Sequence, residues 1–348
     1  MKRTTLLFLA LVLLVAAGCG PAPTPSGPRT LTVMTHDSFD ASQEVIAQFE
    51  AETGATVRFL KSGDTGAALN QAILSKDAPL ADVFYGVDNT FFGRAIKADI
   101  FEPYASLALA DIPDALELDS EHRLNPVDFG DVCLNYDKGW FQEKGLTPPV
   151  RLEDLTKPEL KGLTVVENPA TSSPGLAFLM ATVGHFGEDG YRDFWAKLRA
   201  NDVLVTAGWE DAYWGQFSAA SDGDRPIVVS YATSPAAEVY FSEGKYAEPP
   251  TGNVLGDGAC FRQIEFVGIL KGTANRDLAE KWVDFMLSPA FQADIPLHMW
   301  VFPANPKAEL PEVFQFAESP PKPAQLSPEA IDQNRERWIE AWTETVLH

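Results

Sequence analysis

From Leu31 onward, short runs rich in Val, Ile, Thr and aromatic residues alternate with longer segments of helical spacing, and that alternation admits few architectures. "LTVMT", residues 31–35, reads as a first strand. "DASQEVIAQFEAETG" follows as a helix, with Asp40 as N-cap, Val45, Ile46 and Phe49 as its apolar stripe and Gly54 as its stop. "ATVRFL", a helix over "GAALNQAILS", "ADVFYG" and a helix over 89–98 repeat the unit. Strands separated by helices pair in parallel, because only a crossover returns the chain to the same end of the sheet. The expectation is an α/β body with a parallel sheet covered by helices.

A second series starts after "NPVDFGDVCLNYD": "GLTVVE" as strand, "PGLAFLMATVGHFG" and "GYRDFWAKLRA" as helices, then "DVLVT" and "PIVVSY" as strands. If "FRQIEFVGIL" carries the chain back, the second series is inserted between two parts of the first. The resulting division is a first lobe from 31–126 and 264–310, a second from 127–263, and a C-terminal helical segment, 311–348, packed on both. Trp282, Phe285 and Met286 share one helical face, as do Ile331, Trp338 and Trp342, which is the spacing of core packing.

The first twenty residues, "MKRTTLLFLALVLLVAAGCG", stand outside this pattern. Lys2 and Arg3 precede a short apolar run that ends in small residues, the form of a secretory signal. Its close, "VAAGC", fits lipoprotein processing, so residues 1–18 are expected to be removed and Cys19 to carry lipid. Residues 19–30, rich in Pro, Gly and Ser, then form a flexible tether. That places the body in the periplasm or on the outer face of the cytoplasmic membrane. The formal charge of −22 argues against nucleic acid as a partner. Two cysteines remain in the exported body, Cys133 and Cys260, and disulfide and free thiols stay open alternatives.

Open α/β sheets bind ligands beyond the carboxyl ends of their strands. The loops to inspect are therefore "THDSF", "KSGDTG", "GVDN", "ENPATSSPG", "TAGW" and "SYATSPA". Ser172 and Ser173, Asp64 and Thr65, and Thr233 and Ser234 each put small hydroxyl or carboxylate side chains beside a helix start, where unpaired amides can meet a polar ligand edge or be capped locally. Trp209, Tyr231 and Trp300 lie at strand ends or in a Pro-flanked segment, outside any helical stripe. Together they suit a planar cation, which uses both stacking and the ring quadrupole. Asp37, Asp64 and Asp128 sit by strand ends or crossovers, where capping or turn roles are the ordinary use. Neither a GxSxG elbow, a Walker A loop, HExxH nor GxGxxG occurs, the five histidines are scattered, and no cofactor or metal motif is present.

"LTVMTHDSF", "ADVFYGVDN", "NPATSSPGL", "GWEDAYWGQF", "VVSYATSPA" and "SPAFQADIPLHMWVFP" resemble, in order and spacing, segments of the periplasmic thiamine-binding protein family, and the likeness runs from about Leu31 to the end. The resemblance implies a two-lobed periplasmic-binding-protein fold of type II, with a hinge and an interlobe ligand cleft. It implies no enzyme but the monomeric substrate-binding component of an ABC importer, which captures thiamine or its phosphates and delivers them to the permease. Carried over by position, Trp209 and Tyr231 are the aromatic contacts, Ala232, Thr233 and Ser234 continue the Tyr loop, Ser172 and Ser173 match a Ser-Thr pair, and Asp64 and Thr65 match an Asp-Gly contact. Trp300 matches a tryptophan of the last cleft segment. The chain departs from the family where His36 and Ala237 replace tyrosines and where "DSFDASQE" lacks a tryptophan. Tyr213, Trp214 and Phe217 read as packing. A polyamine or ferric-iron receptor, and an exported enzyme on thiamine-like pyrimidines, are the alternatives.

Overall fold

The structure, a computed structural model, describes residues 29–348. The leader, Cys19 and nearly all of the tether lie outside the described residues. In chain order the elements are β1 (Thr30–Thr35), α1 (Gln43–Thr53), β2 (Thr56–Lys61), α2 (Thr65–Leu74), β3 (Val83–Asp88), α3 (Phe92–Lys97), β4 (Phe101–Glu102) and β5 (Asn125–Asp137). Then come α4 (Lys138–Lys144), β6 (Thr164–Glu167), α5 (Ser173–Ala200), β7 (Leu204–Thr206), α6 (Trp209–Tyr213), β8 (Ile227–Tyr231), α7 (Ser234–Phe241), β9 (Thr251–Val254) and β10 (Phe261–Leu270). The chain closes with α8 (Arg276–Met286), α9 (Pro289–His298), β11 (Phe302–Pro303) and α10 (Pro328–Val346).

The strands join in the order β2-β1-β3-β10-β5-β8-β6-β7, with β4, β9 and β11 pairing at the sides of the two long central strands. At one end β1 pairs with β2 and β3 in parallel, and at the other β6 pairs with β7 and β8 in parallel. The expectation of a parallel sheet thus holds for each end. It fails in the middle, where β10 runs antiparallel to β3 and β5, and β5 antiparallel to β8. Two long strands of opposite direction carry the chain from one parallel set to the other and back, and each runs antiparallel to the strand it meets in the set it enters, β5 to β8 and β10 to β3.

Local chemistry explains where elements start. Helix α1 is capped by Ser42, whose hydroxyl accepts from the Val45 amide at 3.1 Å, and not by Asp40, whose carboxylate is 2.8 Å from His298 Nδ1. Gly54 ends it with φ 68°, as its missing Cβ allows. Helix α3 begins at Phe92, later than 89, because the Asn89 side chain is spent on the backbone of Arg262 and Ile264 in β10. The two helices expected over 174–200 form one run broken at Gly187, where φ 73° and ψ 177° leave the helical region.

The aromatic faces read as packing are core. Trp282, Phe285, Met286, Ile331, Trp338 and Trp342 are all buried, and burial of side chains this size contributes about 1.5–3 kcal/mol each. Helix α10 packs on α3 at one end of the sheet and on α5 at the other, with Trp342 edge-on to Trp195 at 5.6 Å. Cys133 and Cys260, on the paired strand β5 and just before β10, form a disulfide with Cα atoms 4.4 Å apart. Among the described residues no helix is long and apolar enough to cross a membrane.

Candidate functional site

Five of the six strand-end loops converge on one cavity of about 370 Å³, which His36, Ser38, Asp64, Thr65, Ser173, Trp209, Tyr231, Thr233, Ser234 and Trp300 help to line. A second cavity, of about 440 Å³, lies among residues 145–160, away from these strand ends. The converging loops belong to both parallel sets, so the first cavity is the cleft between them. Strand β10 supplies its floor through Gln263 and Glu265, which share one face of the strand by their two-residue spacing.

Asp64 ties the two sides together. As N-cap of α2 it accepts from the Thr65 amide at 2.7 Å, and the same carboxylate accepts from the Ser173 amide at the start of α5 and the Trp209 amide at the start of α6, both at 3.1 Å. Three amides at three helix starts hold one anion, the charge-assisted form of a helix cap. Ser173 in turn donates from its hydroxyl to Asp88, whose carboxyl burial pushes up to about 7 although Thr90 opposes the rise by donating to it. Thr65 is buried, and its hydroxyl donates to the Gly86 carbonyl at 2.9 Å.

The aromatic wall belongs to the other side. Trp209 is held by its indole N–H, which donates to the Ser230 hydroxyl at 2.9 Å, and its ring stacks on Tyr213 at 4.9 Å and 21°. The Tyr231 hydroxyl donates to Gln263 Oε1 at 3.1 Å, and the ring runs so close to Gly130 that an added Cβ there would stand 3.1 Å from it. Thr233 donates its hydroxyl to the Trp300 carbonyl, and Trp300 adopts φ 56°, a left-handed backbone rarely taken by a bulky residue. Phe314 stacks on its outer face at 6.0 Å.

His36 is buried beside Gly86, whose absent Cβ makes room for the imidazole, and its Nε2 lies 3.4 Å from Glu265. Burial pulls this imidazole down, but the Glu265 carboxylate, aided by Asp64, outweighs it and the net shift is upward. Beneath it, Tyr85 donates to Asp128, and the Glu265 carboxylate lies 3.3 Å from the same hydroxyl. Burial, then the neighbouring Glu265, hold the Asp128 carboxyl well above the usual range.

Four expected contacts are not on the cavity wall. Ser172 is fully buried, its hydroxyl spent in capping α5 through the Gly175 amide. Ala232 is buried against the disulfide, because alternation along the end of β8 turns it away from Tyr231. Asp128 lies under the floor on Tyr85, and Asp37 is exposed, accepting from the Gly63 amide at 2.8 Å. Tyr213 and Phe217 are buried in one cluster, as the packing reading expects, although Tyr213 also borders the cavity; Trp214, half exposed and on the cavity lining, departs from that reading. The sequence reading missed Glu238, Phe241, Gln263 and Glu265. Spacing could have found two of them, since Glu238 and Phe241 follow Ser234 by four and seven residues on α7.

Chemically the lining combines Trp, Tyr and Phe faces with four carboxylates, Asp64, Glu210, Glu238 and Glu265, and contains neither Lys nor Arg. Such a cavity favours a flat or partly flat cation. Among the described residues no cluster of three or more His, Cys, Asp or Glu is arranged to hold a metal ion.

The sequence pattern of a family described as bacterial extracellular solute-binding protein matches residues 78–327. The thiamine-binding periplasmic protein of Brucella suis biovar 1 (strain 1330) is 31% identical over 337 residues, covering 93% of this chain and 94% of that one. Its counterpart in Salmonella typhimurium (strain LT2) is 30% identical over 355 residues, covering 97% and 98%. A solved periplasmic thiamin binding protein superposes with a TM-score of 0.82 at 28% identity, over 94% of this chain and 99% of that one. The fold is accordingly the two-lobed α/β architecture of type II, and the chain belongs to the bacterial extracellular solute-binding proteins.

Proposed function

We propose that this protein is the receptor of an ABC importer and captures thiamine, or a thiamine phosphate, in the cleft. One observation carries the reading: a cavity between the lobes has aromatic walls at Trp209, Tyr213, Tyr231 and Trp300, four carboxylates and no Lys or Arg. Thiamine is an aromatic cation, and the relatives named above are thiamine-binding proteins. In this reading Trp209 and Tyr231 face the rings, while Ser173, Thr233, Ser234 and Thr65 meet the polar tail, with His36, Asp64 and Trp300 completing the wall. Ser172, Asp37, Asp128 and Ala232 act from behind it, by capping, turn formation and packing.

The lobes then divide at 126/127 and 263/264, on β5 and β10, and 311–348 braces both. The receptor works as a monomer in the periplasm, lipid-anchored through Cys19, and hands its cargo to a permease without chemical change. Calorimetric titration of the purified body with thiamine, its monophosphate and its diphosphate tests the ligand. Saturable heat with at least one is expected; none with any of the three ends the thiamine reading.

A further inference from the structure

Of the four carboxylates facing the cleft, three are already committed or solvated. Asp64 accepts from three backbone amides, and Glu265 lies 3.4 Å from His36 and 3.3 Å from the Tyr85 hydroxyl. Glu210 is exposed in the first turn of α6, where water screens it. Glu238 differs from all of them. It is half-buried on the cavity face of α7, one oxygen accepts from the Tyr213 hydroxyl at 2.6 Å, and among the described residues no donor reaches the other and no cation pairs with it.

Its placement is not that of a stray surface acid. Ser234, Ala237, Glu238 and Phe241 recur at three- and four-residue steps, so one face of α7 looks into the cavity. The methyl group of Ala237 leaves space beside the carboxylate. Tyr213, which orients Glu238, also backs the Trp209 ring by stacking at 4.9 Å. A rigid path therefore links the carboxylate to the indole face, and both attract positive charge on a ring. A partly desolvated carboxylate without a cation is unfavourable, and a cationic ligand supplies the missing partner.

We propose that Glu238 is the counter-ion of the ligand's cationic ring, and that with the Trp209–Tyr213 stack it sets the preference for a charged over a neutral ring. This rests on the thiamine reading above. Burial pushes the Glu238 carboxyl upward, the Tyr213 hydroxyl opposes that, and nearby Asp137 adds to it, which accords with a group awaiting a cation.

The test compares thiamine with an uncharged isostere in which carbon replaces the quaternary ring nitrogen, titrated calorimetrically into the unaltered protein and into Glu238→Gln. Glu238→Gln is expected to weaken thiamine about tenfold or more, the scale of a lost partly buried ion pair, and to change the isostere less than about threefold. Glu238→Asp keeps the charge and is expected to retain the preference ratio, which a merely structural role for residue 238 does not predict. Equal losses for both ligands, or thiamine binding undiminished in Glu238→Gln, overturn this proposal alone. Failure of the unaltered protein to bind thiamine overturns the ligand reading and this proposal with it.

Discussion

The β2-β1-β3 end of the sheet turns polar groups to the cleft, His36, Asp64 and Thr65, whereas the β8-β6-β7 end turns Trp209, Tyr213, Tyr231 and the α7 face. Both ends are parallel strands followed by helices, so the same local construction serves two purposes. The polar side offers an anion, Asp64, to the helix starts of the other side; the aromatic side offers surface to a ligand. The polar side thus carries the amide-bound carboxylate that fastens the two sides together, and the other carries most of the aromatic surface of the cavity. The disulfide lies between them, where β5 meets β10.

If that division is right, substitutions on the central seam should alter stability most and those on the walls should alter binding. The largest effect is expected from Cys133→Ser or from reduction. The bridge spans 127 residues of sequence, and the loss of so long a closure should cost about 5 kcal/mol in denaturant unfolding. A loss under about 1 kcal/mol contradicts a stapling role.

Next is the pH response of Asp88. Its folded carboxyl titrates at about 7 against an ordinary 3.8, so between these values the folded state binds the extra proton. Stability from this group is therefore full below about pH 4 and lost as pH rises towards 7, by at most roughly 4 kcal/mol. Unfolding of the parent and of Asp88→Asn across pH 4–8 isolates it, and curves of identical slope refute the assignment.

Trp209→Ala should weaken thiamine by about 2 kcal/mol through lost stacking while the melting temperature moves little. Unfolding of the variant with residual binding intact would instead make Trp209 a core residue. The smallest effect concerns the fastening. Asp64→Asn keeps one acceptor oxygen but loses the charge, which should cost about 1–2 kcal/mol. Small-angle scattering of the unliganded protein should report a more open body, and an unchanged radius with unchanged stability removes Asp64 from that role.

Much of the cavity lining was legible in the sequence. The rule that ligands lie beyond strand ends picked six loops of which five converge, all but "GVDN", because strand ends are marked in sequence by Gly, Pro and hydroxyl residues. Less legible was which residue of each loop points inward. Ser172 and Ser173 are neighbours, yet one caps its own helix and the other lines the cavity, and Ala232 turns away from Tyr231 by alternation alone. Trp214 read as packing because helical spacing suggests burial, whereas it is half exposed on the cavity lining, and the buried Tyr213 borders the same cavity.

Sequence by itself determined the alternation of strands and helices, the apolar faces that bury Trp282, Trp338 and Trp342, and the set of loops able to meet a ligand, since these depend on near neighbours along the chain. Only the tertiary structure decided the antiparallel course of β5 and β10, the joining of Cys133 to Cys260, the reach of Asp64 across the cleft and the unpartnered oxygen of Glu238. Each of these four relates elements far apart in sequence, and no local periodicity records which distant group will arrive beside a given side chain.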